Sequence, residues 1–150
     1  MVIDMDKAAL EQLAELRLQD AKALLEAKRW DGAYYLLGYC IECALKACFA
    51  KQFRQHEVPE KGLVNSFYTH DVEQLLTTSG LKSAKEHREQ TEANFKFNWS
   101  LVTEWKETRR YEVGVTEKDA QDLFNAVTDA NSGILPWLKT QWSKNNLPMQ

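Results

Sequence analysis

Glycine and proline are scarce in this chain, six and three among 150 residues. Few turns can then be placed, and the expectation is long helices with short connections. Cysteine is scarcer than any disulfide framework needs. Cys40, Cys43 and Cys48 are odd in number and crowded together, which excludes a ladder of bridges. Cys40 and Cys43 have C-x-x-C spacing. A structural zinc site needs about four ligands, and there is no second C-x-x-C or spaced His pair. A redox pair would sit at a helix N-terminus, where the dipole favours the thiolate. These two fall in mid-helix on an apolar face, so core packing is the expected role. No metal and no cofactor is expected. Neither sign of charge dominates, with 19 basic and 22 acidic residues and a net charge of -3. That argues against a surface that coats nucleic acid broadly and leaves room for a local basic patch. Phosphate-cradling glycine loops, H-E-x-x-H and G-x-S-x-G are all absent from the sequence.

What is present is one long hydrophobic run, RWDGAYYLLGYCIECALKACFAKQF, from Arg29 to Phe53. Ala33, Leu36, Leu37, Cys40, Ile41, Ala44, Leu45 and Cys48 recur at i, i+3, i+4, i+7 and form one core-facing stripe. Tyr35, Tyr39, Glu42, Lys46, Phe49 and Phe53 make a second face at the same spacing. A helix apolar nearly all round must be covered on most sides. Glu42 and Lys46 sit in its middle, and no other stretch is apolar enough to partner it, which argues against a membrane span. The reading is the central helix of a bundle. Gly38 and neighbouring alanines permit close approach, and Asp31 is the expected N-cap.

A first helix is expected from about Asp4 or Asp6 to Lys28, with Leu10, Leu13, Ala14, Ala21, Leu24 and Leu25 as its stripe and Arg17 on it. A link this short makes the pair an antiparallel hairpin. Residues 55–68 read as a loop. A short helix starts at Thr69 or His70 and stops at Gly80. His70 is expected to play a structural part, bound to a nearby backbone group. Residues 82–97 read as a polar, solvated helix that carries His87. The next helix is expected from Asn98 or Ser100 through Trp105 towards residue 111, with Gly114 breaking the run. Thr116 is a good N-cap for a helix with Ala120, Leu123, Phe124 and Val127 on one face. The chain should bend at 131–133 and restart, burying Ile134, Leu135, Trp137, Leu138 and Trp142, before a loose tail at 143–150. The whole reads as a single domain. The opening residues lack the basic-then-apolar order of a secretory signal, and the expected location is the cytoplasm.

The best candidate for ligand binding is Lys106, Arg109, Arg110 and Tyr111, following Trp105. Guanidinium groups fork onto phosphates and aromatic rings stack on bases. The structural alternative is that Glu104, Glu107 and Glu112 pair with these cations at a helix end. Arg17, Tyr35, Tyr39, Glu42 and Lys46 are candidates for a cleft or dimer face.

The run WDGAYYLLGYCIECALKACFAK, with THDVEQLL and NWSLVTEWKETRRY, resembles the HEPN family. The resemblance spans residues 17–142. It implies an all-α antiparallel bundle of five to seven helices, similar to the helical C-terminal domain of the kanamycin nucleotidyltransferases. It also implies a homodimer. Ribonucleases of that family carry an Arg, four to six residues, then a His. Here Arg110 matches the Arg, but Val115, Thr116 and Glu117 stand where the His would be. Counting from Arg109 gives Gly114, Val115 and Thr116. Without an imidazole no group is ready to act as acid or base near neutral pH. Three readings follow. The first is a non-catalytic binding or partner module for a nucleotide or RNA, in a toxin–antitoxin or defence-type context. The second is a degenerate metal-independent ribonuclease using Arg110. The third is a protein-only partner subunit of a small nucleotidyltransferase.

Overall fold

The computed structural model describes residues 6–50, 65–105 and 113–143. Among them every regular element is a helix, as expected. These are α1 (Lys7–Glu26), α2 (Trp30–Ala50), α3 (Val72–Thr78), α4 (Lys82–Thr91), α5 (Ala93–Glu104), α6 (Glu117–Thr128) and α7 (Ile134–Ser143). Residues 65–67 are also helical. Phe53, the Lys106–Tyr111 patch, most of the 55–68 loop and the 144–150 tail lie outside the described residues.

The bundle is built around α2, which packs against α1, α3, α6 and α7. Its stripe is buried at Ala33, Leu37, Cys40, Ile41, Ala44, Leu45 and Cys48, and only Leu36 is half-buried. Phe49, on the second face, is buried too and packs on Phe67, with ring centroids 5.5 Å apart. Burying one large apolar side chain contributes roughly 1.5–3 kcal/mol. Many such side chains lie along the stripe, so the stripe decides where α2 sits. By length and composition α2 could cross a membrane, yet 78% of that stretch is buried inside the protein. The other helices turn their apolar residues towards this axis. α6 buries Ala120, Leu123, Ala126 and Val127, and α7 buries Ile134, Leu135, Trp137 and Leu138. Half-buried Trp142 donates its indole N–H to the carbonyl of Ala44, 3.0 Å away.

Local chemistry sets the ends. Asp6 caps α1 through the Ala9 N–H at 2.8 Å, and Asp71 caps α3 through the Gln74 N–H at 3.1 Å. Thr116 and Asp119 form a complete capping box on α6, the arrangement that satisfies two orphan donors at once. α1 and α3 both end in a Schellman turn. In α3 the left-handed position is Gly80, with φ 83°, and Leu81 N–H returns to the Leu76 carbonyl. In α1 it is Lys28, with φ 60°, and Arg29 N–H returns to the Leu24 carbonyl.

Four details differ from the sequence reading. Asp31 is not the N-cap of α2, because the helix already begins at Trp30. Its carboxylate reaches across the fold and accepts the Val115 N–H at 3.0 Å. The polar helix stops at Thr91, and α5 starts at Ala93 rather than near residue 98 or 100. The break is Glu92, in extended backbone (φ -140°, ψ 107°), whose carboxylate takes an ion pair from Arg88 at 2.6 Å and the Ser132 hydroxyl at 3.1 Å. α5 ends at Glu104 instead of running on towards residue 111, because Trp105 turns to extended backbone (φ -70°, ψ 137°). His70 meets a carboxylate rather than a backbone group, as described below.

Candidate functional site

One face of α2 gathers Tyr35, Tyr39, Glu42 and Lys46 from the candidate residues, and Gly38 is its low point. The Trp105 indole lies directly on Gly38, so closely that a Cβ there would fall inside the ring. Trp105 is buried and its ring sits 5.9 Å from that of Tyr35, which in turn lies 6.1 Å from Tyr39. The three rings form a tilted aromatic row. This explains why the chain leaves the helical path after Glu104: burying the indole on Gly38 outweighs one more helical turn. Tyr35 and Tyr39 remain half-buried. Burial, with Cys43 and Glu42 nearby, raises the Tyr39 phenol above its ordinary range, and Arg17 opposes the shift.

The residues on either side of 106–112 are both held to α2. Trp105 is fixed at Gly38, and Val115 is fixed to Asp31. The start of α2 also borders a cleft of about 400 Å³, lined by Leu24, Lys28, Arg29, Trp30, Asp31 and Gly32. Two cations and an indole thus stand beside the Asp31–Val115 contact. The sequence carried a signal for this in the run Lys28-Arg29-Trp30, which forms a corner rather than a periodic face and so escapes a stripe-based search.

One turn beyond Gly38 lies an internal polar cluster. Glu42 is only 1% exposed. Its Oε2 accepts from the Lys46 ammonium at 3.0 Å and meets His70 Nδ1 at 2.9 Å. Its Oε1 is buried with no hydrogen-bond partner among the described residues. Lys46 is nearly covered and also lies over the Phe67 ring, 5.5 Å from the centroid. The cluster therefore ties the segment before α3 to the middle of α2. Of the five cleft or dimer-face candidates, Glu42 and Lys46 are drawn into the fold, while Arg17, Tyr35 and Tyr39 stay at the surface. Of the other histidines, His87 is exposed on α4 and His56 lies outside the described residues.

The three cysteines are buried and form no disulfide. Burial pushes the Cys40 thiol well above its ordinary range. It pushes Cys43 up to about 12, with the Glu42 charge acting in the same direction. Such thiols stay protonated and act as packing, as their mid-helix position implied. No group of three or more His, Cys, Asp or Glu suited to a metal ion occurs among the described residues.

A family model described as HEPN domain matches residues 9–130. This chain belongs to the HEPN domain family. No curated protein and no solved structure matches it. In this HEPN domain two of the places that would hold the ribonuclease histidine are already in structural use. Val115 is buried and bonded to Asp31, Thr116 caps α6, and Glu117 occupies its first turn.

Proposed function

We propose that this HEPN domain is a non-catalytic binding or partner module. It works in the cytoplasm as a homodimer and takes a nucleotide or an RNA segment at the basic run Lys106, Arg109, Arg110 and Tyr111. The observation that carries the reading is the use made of residues 115–117. Two of the positions where the motif needs an imidazole serve the fold instead, Val115 through its N–H bond to Asp31 and Thr116 through the capping box. Lys28, Arg29 and Trp30 at the cleft beside the start of α2 support a ligand that is both aromatic and anionic. Rings offer stacking surface and cations meet phosphate oxygens.

The test pairs two assays on the purified protein. Metal-free RNA cleavage is followed for wild type beside Arg110→Ala, and RNA binding for wild type beside a variant with Arg109 and Arg110 both changed to Glu. The expected result is no cleavage by either protein and binding that the double reversal abolishes. Cleavage by wild type that disappears in Arg110→Ala would establish a degenerate ribonuclease instead. Absence of RNA and nucleotide binding, with a small nucleotidyltransferase co-purifying, would turn the reading to a protein-only partner subunit of the toxin–antitoxin or defence type.

A further inference from the structure

α1 is twenty residues long, yet among the described helices it packs substantially on α2 alone. Among the described residues one of its flanks is left open, and it is not a solvated one. Leu13 and Leu24 are half-buried there, and Leu16 is 43% exposed. The adjoining edge of α2 adds Tyr35 and Tyr39. Scattered exposed leucines need no explanation, but a contiguous strip of leucine and tyrosine around an arginine has the composition of an interface centre. The only charges in the middle of this strip are Arg17 and Asp20. They pair within the helix at 3.2 Å, with side chains 30% and 51% exposed. The Arg17 Nε is buried, and its approach to Asp20 does not make a hydrogen bond. A guanidinium has five donors in a fixed fork, so this one has capacity to spare for a second carboxylate.

The spacing of these residues has a symmetry. Consider two α1 helices crossing antiparallel about a two-fold axis that passes between residues 18 and 19. Arg17 then faces Asp20 of the partner subunit, and Leu13 faces Leu24 of the partner subunit, each twice. An isologous interface requires this kind of pairing, in which i meets j and j meets i. We propose that the α1 flank, with Tyr35 and Tyr39 beside it, is the surface on which a second copy of this chain docks, in that register. The inference rests on the homodimer reading above and specifies its face.

Charge reversal separates the two ideas. Arg17→Asp and Asp20→Arg each place like charges opposite one another at both symmetric points, which raises the dissociation constant on the order of 100-fold. The combined R17D/D20R variant restores opposite charges and should restore the dimer. Light scattering at matched concentration reads the mass, and far-UV circular dichroism shows that each variant keeps its helices. A second measurement does not depend on charge. Leu13→Cys combined with Leu24→Cys should give a covalent dimer under mild oxidation, because the two positions lie about 16 Å apart along one helix and cannot bridge within it. Folded single reversals that stay dimeric, or a double cysteine variant that stays uncrosslinked while dimeric, would overturn this face and leave the homodimer reading standing. A monomeric wild type at tens of micromolar would overturn both.

Discussion

Gly38→Ala probes the contact that arranges the aromatic row. Alanine is the better helix former by ~0.8–1.0 kcal/mol, so with nothing overhead the change would stabilise α2. Here the new Cβ falls inside the Trp105 ring, a rigid target seated on a rigid helix. Overpacking of this kind typically costs ~1–3 kcal/mol, and full expulsion of the indole approaches the ~3–5 kcal/mol of a Trp→Ala change. The net expectation is a loss of about 2–3 kcal/mol. For a chain of this length that lowers Tm by roughly 5–10 °C. Urea unfolding followed by circular dichroism measures it. A cycle with Trp105→Ala isolates the cause: once the indole is gone, Gly38→Ala should become stabilising, by up to ~1 kcal/mol. A stabilised Gly38→Ala in the wild-type background would refute the seat of Trp105 on α2. It would also remove the reason given for α5 ending at Glu104.

The remaining expectations concern stability and reactivity. Lys46→Met leaves the buried Glu42 carboxylate with one of its two donors gone, and should cost about 3–5 kcal/mol, as loss of one partner of a buried pair does. Asp31→Ala removes the acceptor of the Val115 N–H and should cost about 1–3 kcal/mol, read by urea unfolding. Thr116→Ala breaks the capping box at about 1 kcal/mol. The three thiols should not react with a disulfide reagent at pH 8 until urea unfolds the chain. Because the Cys43 thiol is raised from 9.0 to about 12, the unfolded chain loses that proton first. Its stabilising share is therefore intact below pH 9 and lost as pH climbs towards 12, and a stability that rises over that window would contradict the burial.

Much of the fold was legible because period and cap chemistry pointed the same way. The α2 stripe, Thr116 as a cap, Gly80 as a stop and the bend at 131–133 all depend on residues within a turn or two of one another. The misreadings depend on partners far along the chain. Asp31 looks like a cap to its neighbours, yet its acceptor role is set by Val115. The break at Glu92 depends on Ser132, and the end of α5 on Gly38. No local pattern carries those pairings. Among the described site candidates the same division holds. Arg17, Tyr35 and Tyr39 show by spacing, whereas the burial of Glu42 depends on His70 folding back over it.

The two Schellman turns differ in one respect with a wider consequence. Both need a left-handed residue, and α3 uses glycine where α1 uses Lys28. A side chain in that conformation costs roughly 1–2 kcal/mol relative to the right-handed one, a strain that glycine avoids. At this corner the chain therefore keeps a lysine at a position where stability alone favours glycine. Lys28 is also one of the two cations at the mouth of the cleft. Lys28→Gly is in that sense a natural dial between durability and charge: it should make the protein harder to melt and its corner less attractive to anions.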